Sequence, residues 1–141
     1  MPDLWRIDRI FNSVVLKAII IIIVMVFLSP EAKATESIIL TASWYSIESL
    51  KKEGTYKYSK GVMANGKYFD ENAYTCATRL FPLGSKLRVT NLHNNKYVIV
   101  EVTDRIGKRF AKTRIDLSKL AFSKLDKFKK GLISVKVEKI K

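Results

Sequence analysis

Asp104 is the side chain in this sequence best placed to move a proton. It follows the apolar run Tyr97–Val102 almost directly and precedes Arg105, so it emerges where a buried strand ends. Burial at such a place disfavours the carboxylate, while a neighbouring guanidinium favours it. Opposed influences of that kind can hold an acid near the working pH, as general acid–base chemistry requires. Asp116, between Ile115 and Leu117, has a similar setting, although capping of backbone amides at a strand-to-helix junction would also explain it. Asp70, soon after Ala64-Asn65-Gly66, is sufficiently explained by turn formation.

Other chemistries are poorly supplied. The single histidine, His93, stands beside a hairpin turn signal with no partner at useful spacing, and Cys76 is the only cysteine. No metal site is expected from such a set, nor a Ser/His or Cys/His nucleophile. There is no glycine-rich phosphate loop, so no nucleotide or other cofactor is expected. Aromatics are the other resource: Trp44, Tyr45, Tyr56, Tyr58, Tyr68, Phe69 and Tyr74 crowd one part of the chain. Sugar rings stack on such faces, but Trp44 and Phe69 are read as core, because buried aromatics dominate small cores.

The elements that must position these groups are mostly strands. Ser37–Tyr45 is β-branched and aromatic and reads as a strand. Residues 46–73 show no period and read as a long loop with short extended pieces, a feature usually functional or mobile. Lys86–Asn91 alternates polar and apolar, and Tyr97–Val102 is apolar enough for a strand covered on both sides. Asn94-Asn95 between them predicts a tight hairpin. A short strand at Lys112–Asp116 leads to Ser118, a good N-cap. Leu120, Ala121, Leu125 and Phe128 then follow at helical spacing. Gly131 ends that segment and Ile133–Val137 alternates as a closing strand. Short strands with an inserted helix predict a mainly β chain, a small closed barrel rather than an open α/β sheet.

The N-terminus reads differently. Arg6, Arg9 and Lys17 precede an 11-residue apolar run, Ala18–Leu28, and Ala32-Lys33-Ala34 follows with small residues at the cleavage positions. These are the parts of a secretory signal peptide, and the run is short of the roughly 20 apolar residues of a spanning helix. Residues 1–34 are therefore expected to be a signal peptide and 35–141 a single domain, with no stable membrane anchor once the leader is removed. Removing the leader's four Lys and Arg and three Asp and Glu leaves 22 basic against 10 acidic residues. That balance predicts attraction to polyanions. For an exported chain these are envelope polymers rather than nucleic acid, so a periplasmic or cell-envelope location is expected. With one cysteine no internal disulfide can form, and a buried thiol is the simpler expectation.

Six short motifs in order carry a resemblance. Ala42-Ser43-Trp44-Tyr45, Ala64-Asn65-Gly66 with Phe69-Asp70, Pro82-Leu83-Gly84, Val89-Thr90-Asn91-Leu92, Asp104-Arg105 and Ile115-Asp116-Leu117-Ser118 resemble the rare lipoprotein A family across residues 38–140. The resemblance implies a six-stranded double-psi β-barrel with one or two short helices after the signal-peptide helix. It also implies lytic transglycosylase action on peptidoglycan glycan strands, with Asp104 as the central carboxyl. In that setting Asp116 would orient the sugar or the acid, and Arg105 would hold polar groups of the substrate. Thr41, Ser43, Asn65 and Tyr45 would contact the glycan, and other envelope proteins could be partners. The chain departs from the family at Lys67, where glutamate is usual, and at Cys76-Ala77-Thr78, where a histidine is usual. These departures favour the alternative expectation, a non-catalytic peptidoglycan-binding or wall-loosening protein like an expansin. A cationic envelope-surface protein, bound through salt-sensitive charge alone, is the third reading.

Overall fold

The computed structural model describes residues 4–27 and 36–140, with side chains described from residue 10 onward and not for residues 24–27. The chain divides into two units, residues 1–34 and 35–141, taken separately below. In the first, helix α1 spans Leu4–Phe27. The expected cleavage segment Ala32-Lys33-Ala34 lies outside the described residues. Among the described residues no helix is both long and apolar enough to cross a membrane.

The second unit runs β1 (Ser37–Tyr45), α2 (Ile47–Lys52), α3 (Thr55–Ser59), β2 (Thr75–Ala77), β3 (Lys86–Asn91), β4 (Tyr97–Asp104), β5 (Arg114–Ser118), α4 (Lys119–Ser123) and β6 (Ile133–Ile140). The six strands close into a barrel in the order β1-β5-β2-β4-β3-β6. Two pairs are parallel, β1 with β5 and β2 with β4, and the others antiparallel. This is the expected double-psi β-barrel.

Alternation dictates what each strand buries, because successive side chains point to opposite faces. On β1, Leu40 and Ala42 face the core and the half-buried Trp44 packs against it, while Thr41, Ser43 and Tyr45 occupy the opposite face. Leu87, Val89, Val100, Val102, Ile115, Leu117, Val135 and Val137 fill the interior, and the Cys76 thiol is buried among them. Phe122 and Leu125, from α4 and the turn after it, join the same core, and Trp44 lies 4.9 Å from the Phe128 ring. Truncating fully buried Phe122 to alanine should cost about 3–5 kcal/mol. The denaturant midpoint should fall with no change in its slope.

The hairpin forms where Asn94-Asn95 predicts it: Asn95 takes φ 59°, and the Asn91 amide donates to the Lys96 carbonyl at 2.8 Å. Several expectations are corrected. β4 is covered on one face only, since Tyr97 is 54% and Ile99 47% exposed. β-Branched and aromatic residues suit a pleated surface whether or not it is buried, so an apolar run overstates coverage. Segment 46–73 carries two short helices, the first closed by a capping box in which Ser46 and Ser49 bond each other's backbone. β5 begins at Arg114, two residues later than expected, and Ser118 caps α4 through the Ala121 amide. α4 is shorter than the spacing of Leu120 to Phe128 suggested. The backbone turns extended at Lys127, and Phe128–Lys130 forms a separate 3-10 turn.

Candidate active site

Strand register brings the two aspartates together. Ala77 of β2 pairs with Asp104 on one side and with Asp116 on the other, and Asp116 pairs in turn with Ser43. Paired residues point to the same face, so Ser43, Asp116, Ala77 and Asp104 form one row across four strands. Ala42, Leu117 and Cys76, adjacent in sequence to Ser43, Asp116 and Ala77, point into the barrel, so the row lies on the opposite, outer face, with Ala77 buried within it. A bulge between Cys76 and Ala77 shifts the pairing from Val102 to Asp104, skipping Thr103. Such a bulge re-aims a side chain, and without it Asp104 would not share a rung with Ala77. The two aspartate Cα atoms lie two ladder spacings apart, roughly 10 Å.

Asp104 is held by its own loop neighbours. Its Oδ1 accepts the Ala64 amide at 2.9 Å and the Arg105 amide at 2.8 Å. Ala64 arrives there because the loop turns at Gly66, which adopts φ 83°, a conformation glycine takes without cost. The Asn65 amide donates to the Thr103 carbonyl, pinning the loop to β4. Among the described residues no donor meets Asp104 Oδ2, which is therefore open to a ligand.

Asp116 sits deeper. Burial pushes its carboxyl above the ordinary aspartate range, with smaller upward contributions from the charges of Glu53 and Asp104. The Ser43 hydroxyl, which donates a short hydrogen bond to Oδ1, and the Arg114 guanidinium act in the opposite direction. Glu53 and Arg114 bear on the site without having been expected there. For Arg114 the signal was available, since residues 114 and 116 of one strand share a face.

Tyr45 stacks on Phe69, ring centroids 4.3 Å apart and 18° from parallel. Its hydroxyl is buried with no hydrogen-bond partner among the described residues. Burial pushes its pKa upward, and the nearby charges of Asp104, Cys76 and Asp116 add to that. The Cys76 thiol is likewise pushed up, first by burial and then by Asp116, so it stays protonated. An unmet buried hydroxyl costs stability, so Tyr45→Phe should stabilise the protein by about 1 kcal/mol in chemical denaturation. If the hydroxyl meets the glycan instead, the same change should weaken glycan binding.

The remaining expected residues are placed as follows. Thr41 is half-buried on the outer face of β1, opposite Arg114. The Asn65 side chain closes its own turn by accepting the Lys67 amide at 3.0 Å. Arg105, expected to hold the substrate, instead has its Nη1 engaged at 2.7 Å by both the Thr78 and Phe81 carbonyls. Its guanidinium braces the strand–loop junction beside the site. His93 is exposed at the hairpin, the far end of β4 from Asp104. An open groove of about 710 Å³ beside that hairpin, lined in part by Tyr74, Tyr97 and Lys124, includes neither aspartate. Among the described residues no group of three or more His, Cys, Asp or Glu could hold a metal ion.

The molecule is a closed double-psi barrel with Asp104 and Asp116 in one registered row, and the comparisons give its family. The profile of the family described as "Lytic transglycolase" matches residues 38–137, so the chain belongs to that family. It is 44% identical over 100 residues to the endolytic peptidoglycan transglycosylase RlpA of Pseudomonas aeruginosa (strain UCBPP-PA14), covering 71% of this chain and 26% of that protein. It is 39% identical over 99 residues to the protein of that name from Neisseria meningitidis (strain DSM 15465 / Z2491), covering 70% and 37%. The chain thus spans between a quarter and two fifths of the length of these relatives. Among solved structures, a Streptomyces papain inhibitor superposes with TM-score 0.57 at 20% identity, covering 75% of this chain and 96% of that one. A Clavibacter michiganensis expansin, solved with cellohexaose, gives TM-score 0.54 at 18% identity, covering 75% and 51%. These two share the fold.

Proposed function

We propose that the barrel is a lytic transglycosylase of the cell envelope, cleaving the MurNAc–GlcNAc bond of peptidoglycan glycan strands and leaving a 1,6-anhydro end. The observation that carries the reading is the registered outer row in which Asp104 and Asp116 flank Ala77. Relatives named for endolytic peptidoglycan cleavage support it. Asp104, with Oδ2 open, is the group that meets the sugar. In its protonated form it donates to the leaving glycosidic oxygen. As the carboxylate it then takes the proton of the C6 hydroxyl, whose oxygen attacks C1 and closes the anhydro ring. The proton returns to the same carboxyl and no water is consumed, so the two-carboxylate division of labour of glycoside hydrolysis is not needed.

Asp116 holds the site's geometry through Ser43, and burial keeps a proton on it to higher pH than on an ordinary aspartate. Exposed Tyr58 and Tyr68, 86% and 77% accessible, offer stacking faces on the segment that wraps Asp104. The leader reading places the protein in the periplasm or envelope, where its polymer substrate lies.

Exposed Lys67, two residues from Asn65 at the position where the family usually has glutamate, favours a second reading: a non-catalytic wall binder. Incubation with glycan strands stripped of stem peptides separates the two. Anhydro-ended products, detected by mass spectrometry, support the enzyme. Co-sedimentation with sacculi and no such products supports the binder.

A further inference from the structure

The connection between β4 and β5 gathers positive charge beside the aspartate row. Arg109 and Arg114 both lie over the Phe110 ring, their guanidinium carbons 4.5 and 4.2 Å from its centroid. Cation–π contact accounts for each singly. It does not account for bringing two like charges onto one small ring, where each raises the electrostatic cost of the other.

Nearby arginines are differently used. Arg79 donates to the Ile106 carbonyl, and Arg105 to the Thr78 and Phe81 carbonyls. Among the described residues the ion pairs are Lys86–Glu101, Lys119–Glu71 and Lys136–Glu138, none involving Arg109 or Arg114. The two guanidiniums therefore keep unused N–H donors, in the planar fork that suits a carboxylate.

Their place is set by register. Arg114 shares the outer face of β5 with Asp116, two residues and about 6.6 Å further along the strand. Its charge reaches Asp116, opposing the effect of burial there. A ligand lying across the aspartate row would thus extend its next group toward the arginine pair.

We propose that Arg109 and Arg114, gathered on Phe110, form a carboxylate-recognition subsite for the sugar unit bound beside Asp116. The inference rests on the glycan reading above and deepens it: the polymer is anionic, and one of its carboxylates is read directly. That carboxylate can belong to the lactyl group of an unsubstituted muramic residue or to an attached peptide, and the two are separable by experiment.

The test uses the full-length protein labelled with ¹⁵N, following arginine Nε–Hε signals. The probes are N-acetylglucosamine, which has no carboxylate, N-acetylmuramic acid, and muramoyl dipeptide, whose carboxylate lies only on the peptide. Muramic acid should move the Arg109 and Arg114 signals and N-acetylglucosamine should not. A response to the dipeptide alone also supports the subsite and assigns it to the peptide carboxylate. In equilibrium binding of whichever carboxylated probe moves those signals, Arg109→Gln/Arg114→Gln should lower affinity about tenfold, as expected for lost charged hydrogen bonds. The charge-matched Lys129→Gln/Lys139→Gln should lower it far less. Equal losses in the two double variants, or signals that respond to every probe or to none, would overturn the proposal. Should the arginine signals respond while no anhydro product forms, the subsite stands and the enzymatic reading falls.

Discussion

Asp104→Asn should abolish most release of anhydro-ended products, a fall of about a thousandfold, in line with the loss of one general acid–base group. The substitution is a clean probe because of how Asp104 is held. Asparagine retains an Oδ1 that can accept the Ala64 and Arg105 amides, so the loop stays anchored to the strand end. What disappears is the proton exchange at Oδ2. Thermal unfolding should therefore be close to that of the wild type while turnover is lost. Asp104→Ala makes the contrast, leaving both amides without their acceptor and costing about 1 kcal/mol as well. Measurable anhydro product at near wild-type rate from Asp104→Asn would remove Asp104 from the chemistry.

The second large effect is expected at Asp116, with activity and stability moving in opposite directions. Asp116→Asn should lower product formation about a hundredfold, the scale expected when a group that positions the reacting parts is lost. At neutral pH it should unfold at a higher temperature than the wild type. The sign follows from linkage. The folded-state pKa of Asp116 is raised, principally by burial, so the folded protein binds this proton more tightly than the unfolded chain does. Stability from that proton is fully present below the unfolded value, about 3.9, and is lost as pH rises through the raised folded value. Asparagine carries no such dependence. The stability gap between variant and wild type should thus open on going from acid to neutral pH and close again below about pH 4. A gap that does not change with pH would mean that Asp116 is not strained by burial.

Much of this was legible in the residues because the governing signals are local. The hairpin was visible in Asn94-Asn95, the N-cap in Ser118, and the strand-end position of Asp104 in the apolar run before it. What the sequence could not display is pairing. Asp104 and Asp116 are joined through Ala77, a residue with no chemistry of its own, and by a bulge that no local pattern announces. Arg105 looked like a ligand-binding cation from its neighbourhood, and the sequence could not show that its Nη1 is engaged by two carbonyls contributed by another segment. Exposed Ile99 and Tyr97 show the complementary failure, where composition was taken for depth. The two short helices after β1 escaped because a turn or two of helix is too brief to display a period.

The order of strands in the barrel has a kinetic corollary. β1 is hydrogen-bonded to β5 and β6, from the distant half of the chain, with Ser37 opposite Glu138. Nearly every rung outside the β3–β4 hairpin closes a long loop, so contact order is high and folding is expected on the slow, millisecond-to-second side of the range for small domains. Until β6 has been synthesised β1 lacks one of its partners, and the ring stays open. Such a polypeptide stays unclosed, and its strand edges unpaired, for longer than a helical bundle of the same size would.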